Sequence, residues 1–232
     1  VEQLEIPEFD PAKPERSIAW FRGKLPIASA EWDELDAAAR EKAFTVSGVA
    51  DLDLVADVLE SLKHAMQRGE TLEDFKARIA DQLEDAWDGT VADPAWRLET
   101  IFRTNLQSAY NAGRWLEQQD VADDRPYALF DATQDERTCP ICGAADGTIL
   151  PLSHPWWHTH VPPMHFACRC STISLTEEQA HSMGVTPNPT SVQPADGFGA
   201  PPGVRDWQPD RGDYPPDLWS QYERVKHAEE QT

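Results

Sequence analysis

From Asp51 onward, apolar residues recur at helical spacing: Leu54, Val55, Val58, Leu59, Leu62, Ala65 and Met66. The spacing predicts a helix with one buried face, and Gly69 stands where a left-handed C-terminal cap belongs. Thr71 with Asp74 three residues on is a capping-box pattern. Leu72, Phe75, Ile79, Leu83 and Trp87 then form the stripe of a second helix, so close behind the first that the pair reads as an αα-hairpin. Asp93-Pro94, an N-cap followed by proline at the first helical position, opens a longer segment reaching about Gln119. Its inner face carries Leu98, Ile101, Phe102, Leu106, Ala109, Ala112, Trp115 and Leu116. Ser29 followed by Glu31 predicts a shorter helical stretch through about Phe44.

The period changes after Asp123-Asp124-Arg125-Pro126. Residues 127–130 and 148–150 are short extended runs, and Ser171 to Leu175 alternates polar with apolar residues as an edge strand does. Thr176 to Gln179 is a second capping box, opening a short helix that ends at Gly184. On either side lie proline-punctuated segments. Pro7, Pro11, Pro14 and Pro26 sit among scattered apolar residues, and the segment after residue 185 holds isolated Trp207, Tyr214, Trp219 and Tyr222 but too few apolar clusters for a core of its own. The expected class is α+β. An N-terminal α-helical bundle is followed by a small α+β module stapled by metal, with extended N- and C-terminal arms. The expected division is an extended arm over residues 1–30, an acidic helical region over 31–122, a zinc-binding α+β module over 123–184 and a Pro-rich tail over 185–232.

Charge narrows the choice of partners. The formal net charge is −21, and residues 31–120 hold 20 acidic against 9 basic side chains, whereas residues 126–180 hold 6 and 2. A surface so negative repels phosphate backbones within a Debye length of about 8 Å. Extensive nucleic-acid binding is therefore disfavoured, and solubility or contact with basic partners is favoured. No apolar run reaches the roughly 18 residues of a membrane helix. The chain begins at Val1 and shows no basic-then-apolar leader, so export by a signal peptide is not expected.

All four cysteines lie in two tight clusters, Cys139-Pro-Ile-Cys142 and Cys168-Arg-Cys170, with His165 three residues ahead of the second. Without an export signal the pattern favours a metal over disulfides. Zinc takes thiolate and imidazole ligands, and a two-residue spacer lets both sulfurs of the first pair turn toward one point. Cys139 and Cys142 are the firmest expected ligands. His165, Cys168 and Cys170 offer three donors for the two remaining positions, and spacing does not choose among them. The competing readings are reduced free thiols and a redox or disulfide pair, the latter without a supporting βαβ pattern. A sharper alternative is hydrolysis: His154, His158 and His160 lie beside Trp156 and Trp157, and with Asp135 or Glu136 they could line a catalytic metal. A zinc closed by four protein ligands has no position left for water, which favours a structural Zn2+ and no catalytic residues.

The order of these features resembles the phage Mu F-like minor head proteins, also called phage head morphogenesis proteins. Arg103-Thr104-Asn105 and the run Ala109 to Arg114 on the long helix lead to Asp131, then Asp135-Glu-Arg137-Thr-Cys139-Pro-Ile-Cys142, Asp146-Gly147, and Pro162-Pro163-Met-His165-Phe-Ala-Cys168-Arg169-Cys170. The resemblance covers about residues 45–180. It implies a minor capsid protein made in the host cytoplasm and carried in the virion head, non-enzymatic, at the portal vertex or inner capsid surface. The implied partners are portal protein, major capsid protein and scaffold protein, with packaged DNA nearby but not tightly bound and no membrane. It further implies that Arg103, Asp131, Asp135 and Arg137 hold the domain together, and an ion pair between Arg103 and Asp131 is the expected form. The alternative function is a zinc-dependent nuclease or toxin-like hydrolase using the cluster from His154 to His165. A zinc-ribbon nucleic-acid adaptor is disfavoured, because Arg137 and Arg169 are the only basic side chains between residues 126 and 180.

Overall fold

The computed structural model describes residues 15–27, 43–49 and 51–202, with isolated positions at 211, 216, 219, 220 and 223. The first half of the expected N-terminal arm, the helical start at Ser29 and most of the Pro-rich tail lie outside the described residues.

Three helices stand where the apolar spacing puts them. Helix α2, Leu52–Arg68, starts at Asp51, whose carboxylate accepts from the backbone N–H of Asp53 and Leu54, and ends at Gly69 in the left-handed conformation. Helix α3, Leu72–Trp87, opens with the complete capping box of Thr71 and Asp74. Helix α4, Pro94–Asp120, is capped by Asp93, which accepts from Trp96 N–H. Their inward residues build one core: Val55, Val58, Leu59 and Leu62 meet Phe75, Ile79, Leu83 and Trp87, closed by Leu98, Phe102 and Ala109 from α4.

The expected extended arm is different where it is described. Residues 15–22 form helix α1, Glu15–Arg22, and Phe21 is buried in the core against Phe44, the two rings meeting edge to face. The physical reason is a periodicity that the neighbouring prolines hide: Ile18 and Phe21 are three residues apart and both face the core. α1 crosses α4 at Gly113, where backbone meets backbone. A Cβ on Gly113 would fall 2.6 Å from Ser17 N and 2.9 Å from Ser17 Cα. Strand β1, Leu25–Pro26, then pairs in parallel with β2, Ala43–Phe44, so the end of the stretch expected to be helical through Phe44 is extended.

Beyond α4 the chain forms a three-stranded antiparallel sheet in the order β4-β3-β5. Strand β3, Tyr127–Asp131, is central. Strand β4, Ile149–Pro151, pairs with it through Leu129 and Ile149, and β5, Ser171–Leu175, through Leu129 and Ile173. Between β3 and β4 lies helix α5, Pro140–Ala145, and after β4 a 3-10 turn at Pro155–His158. Helix α6, Glu177–Met183, follows β5 behind its capping box of Thr176 and Gln179. A second core forms here from Trp115, Ala128, Phe130, Trp156, Trp157, Val161 and Met164 together with three of the cysteines. Helix α4 reaches both cores over its 27 residues, about 40 Å at 1.5 Å per residue. Of the Pro-rich tail, residues 185–202 lie along the sheet module, Thr186 bonding Ile149 and Gly199 bonding Pro163.

Candidate metal centre

Two turns bring the cysteines and His165 together. In the first, Cys139 is the N-cap of α5, its sulfur accepting from Cys142 N–H at 3.4 Å, with Pro140 at the first helical position where a missing N–H costs nothing. In the second, Cys168 N–H bonds His165 O at 3.2 Å, and Ala167 sits in the left-handed region with φ 56°. That conformation is unfavourable for a side chain bearing Cβ. It is held from outside, by Thr104 Oγ1 of α4 accepting from Ala167 N–H at 3.0 Å.

The result is a cluster of donors in which Cys142, Cys168 and Cys170 are buried and Cys139 and His165 half-buried. His165 Nε2 lies 3.1 Å from Cys139 Sγ and 3.2 Å from Cys142 Sγ, and Cys142 Sγ lies 3.8 Å from Cys168 Sγ. The donors fall into two overlapping sets of three, Cys139 with Cys142 and His165, and Cys142 with Cys168 and Cys170. A disulfide needs sulfurs about 2.0 Å apart, so none is formed, and all four cysteines are free. By contrast, two thiolates about 2.3 Å from one tetrahedral ion stand about 3.8 Å from each other. The Cys142–Cys168 separation has that value. His165 is also oriented as a ligand would be: its Nδ1 lies 2.7 Å from Phe166 O. A carbonyl can only accept, so Nδ1 carries the hydrogen and Nε2 turns its lone pair toward the sulfurs.

The thiols share protons unevenly. Hydrogen bonds from Cys142 and Cys170 bring the Cys168 thiol down to about 2, while the same bond to Cys168 pushes Cys142 far above the ordinary thiol range. Cys170 is drawn down by Cys142 but driven up more by Cys168 and by burial, to about 12. The opposite directions for Cys168 and Cys142 reflect how strongly closely spaced sulfurs couple to one another. A divalent ion would ionise the set outright.

Helix α4 grips this module with a polar stripe. Gln107 and Asn111 donate to Cys170 O at 3.1 and 2.9 Å; Gln118 donates to Thr172 O at 2.9 Å and accepts from Thr172 Oγ1 at 3.0 Å. Cys170 O and Thr172 O lie on the edge of β5 that faces away from β3, so side-chain amides satisfy the sheet edge. Sequence spacing marks Asn111 only as part of a run, and Gln107 and Gln118 not at all. A helical repeat of small amides beside Ala109, Ala112 and Trp115 is the signal that could have shown them. Arg125 is a further clamp, donating to Ser174 and to Gln179.

The four charged residues implied to hold the domain are differently placed. Arg103 is exposed and pairs with Glu99 one turn back, not with Asp131. At four residues' separation on one helix that pair forms locally. Asp131 instead feels Asp146 and Arg114, and burial with the Asp146 charge raises its pKa. Asp135 receives both guanidinium nitrogens of Arg169, at 2.6 and 2.7 Å, and Arg137 N–H at 2.9 Å. Its carboxyl is held well below the usual range, first by the Arg169 bonds and then by that backbone bond. The Arg137 side chain is exposed, 3.7 Å from Asp135.

The histidines of the hydrolytic alternative do not converge. His154 Nδ1 accepts from Trp156 N–H at 3.1 Å, capping the 3-10 turn. His160 is buried, stacked on Trp156 with Nε2 donating to Val192 O at 2.8 Å, and His158 is exposed. Among the described residues, His165 alone of the histidines shares a metal-competent set.

Fold and site define an α+β protein whose helical core is joined by one long helix to a small sheet module carrying four thiols and an imidazole. The chain belongs to the Phage Mu protein F like family, whose model matches residues 56–173. It is similar to the "Putative capsid assembly protein F" of Escherichia phage Mu, 29% identical over 187 residues, covering 74% of this chain and 42% of that protein. It is also similar to the Mu-like prophage FluMu F protein of Haemophilus influenzae, 29% identical over 164 residues, covering 66% of this chain and 40% of that one. The chain thus spans about two-fifths of the length of these relatives. No solved structure matches it. No helix among the described residues is long and apolar enough to cross a membrane.

Proposed function

We propose that this chain is a structural, non-enzymatic head protein of a tailed bacteriophage, acting in capsid assembly. The observation that carries this is family membership across residues 56–173, a span that contains every donor of the cluster. The name of the phage Mu relative points the same way. A position at the portal vertex or the inner capsid surface, with portal, major capsid and scaffold proteins as partners, follows from the same reading. The strongly acidic helical half suits a place beside packaged DNA without attachment to it.

The cluster is read as a structural zinc site in the module of residues 123–184, stapled to the helical bundle of residues 31–122. Cys139, Cys142 and His165 supply three ligands, and Cys168 the fourth, on the strength of its distance from Cys142. A filled shell gives the ion no vacant vertex for water, so the chemistry zinc supplies here is cross-linking. Cys170 is then a fourth sulfur, the fifth donor of the cluster, held beside the shell with its backbone carbonyl fixed by Gln107 and Asn111.

Metal analysis of the purified protein is expected to give one zinc per chain, lost on combining Cys139→Ser with Cys142→Ser. In assembled heads the protein is expected at low copy near the portal. Zinc-free protein after purification without chelator would overturn the staple, and absence of the protein from heads and head precursors would overturn the assembly role.

A further inference from the structure

We infer that residues 190–199, which lie beyond the span matched by the family, form a latch that positions His165 for the metal; this rests on the zinc reading above. The loop carrying His165 runs from His160 to Phe166 without regular secondary structure. The tail segment grips it from outside at nearly every residue. Val161 N–H bonds Gly199 O at 2.9 Å, Gly199 N–H bonds Pro163 O at 3.1 Å, and Ala195 N–H bonds Met164 O at 2.9 Å. Phe166, immediately after His165, rests its ring edge to face on Phe198 at 4.9 Å. At the start of the loop, His160 Nε2 donates to Val192 O, and Trp156 Nε1 just before it donates to Thr190 O at 2.9 Å.

The fit is close enough to require one residue type. Gly199 has φ +85°, and a Cβ there would strike Thr159 O and come within 2.7 Å of Pro194. Only glycine lets the segment lie this near the loop. Among the described residues, no hydrogen bond joins the latch to a cysteine sulfur. Its effect passes through the carbonyls of Pro163 and Met164 and the ring of Phe166, all within two residues of His165. A partner bonded directly to a metal-bound imidazole, as Phe166 O is to His165 Nδ1, is worth about 10- to 100-fold in metal affinity. The latch holds the residue that carries that carbonyl. Phe198 and Gly199 are therefore positioning residues for the cluster.

The test uses the full chain with Phe198→Ala, Gly199→Val, His165→Ala and the pair His165→Ala with Phe198→Ala. Zinc affinity is read by competition with a chromogenic chelator, and the shell by absorption of the Co2+ form. Phe198→Ala and Gly199→Val are expected to weaken zinc binding at least tenfold and to move the Co2+ ligand-field bands toward those of His165→Ala. In the His165→Ala background, Phe198→Ala is expected to change affinity less than twofold, because its effect runs through the imidazole. Equal weakening in both backgrounds would show a merely structural role and overturn the latch, as would wild-type affinity and spectrum in both latch variants. A wild-type chain that takes up neither ion would instead sink the zinc reading on which the latch rests.

Discussion

Two residues on α4 illustrate how far exposure, and not charge, decides what a side chain contributes. Arg103 looks important because it is charged and opens a recognisable run, yet its pair with Glu99 is in solvent. Exposed pairs of this kind contribute about 0.3–0.5 kcal/mol. Gln118 is uncharged, buried, and bonds Thr172 twice. Gln118→Leu leaves buried polar groups of Thr172 without that amide, at about 1–3 kcal/mol. Urea denaturation at pH 7 is expected to show Arg103→Ala within 1 kcal/mol of wild type and Gln118→Leu clearly below it, by roughly 2 kcal/mol. Asp135 adds a pH signature. Its folded pKa is depressed by Arg169, so the stability it contributes is fully present above the ordinary carboxylate range and is lost as pH falls through the folded value. In metal-free protein, the gap in stability between wild type and Asp135→Asn is expected to be constant from pH 7 to about pH 5 and to close in the strongly acid range.

At the scale of elements, the helices announce themselves because caps and stripes are local. Asp51 and Gly69, Thr71 and Asp74, Asp93 and Pro94 bound α2, α3 and α4 in the sequence as they do in space. The strands around Tyr127, Ile149 and Ser171 were legible for the same reason, as was the capping box of α6. What stayed hidden depends on distant partners. Nothing near Ser17 says that α1 will press against Gly113, and nothing near Phe198 says that it will meet Phe166. The donors of the cluster could be named from spacing, but their division into two sets sharing Cys142 could not, since it depends on how two turns face each other. The α1 contact gives a sharp expectation. Gly113→Ala raises helix propensity in α4 yet places a methyl group against the Ser17 backbone. It is expected to destabilise by about 2 kcal/mol, within the 1–3 kcal/mol typical of overpacking. Hydrogen exchange should accelerate in residues 15–27 and stay near wild type in β3 and β5.

For the whole molecule, two cores on one helix imply two separable responses. The first core contains no metal donor; the second is built around three of the cysteines. Chelation, or Cys139→Ser combined with Cys142→Ser, is therefore expected to loosen the sheet module first. Near-UV circular dichroism from Trp115, Trp156 and Trp157, which pack against one another, should collapse while far-UV helical signal persists. The double substitution is expected to cost several kcal/mol, a fraction of the roughly 10 kcal/mol that structural zinc supplies to small modules. Loss of both signals in a single transition would show instead that the two cores fold as one unit.

The passage of α4 through both cores also sets an order of events at the ribosome. The helical hairpin and the front of α4 are synthesised before any cysteine has left the exit tunnel, and their core needs none of them. Asn111, Gln118 and Thr104 can then wait on the finished rod as a mould, so that the nascent knuckle is shaped by a surface already in place when the sulfurs emerge.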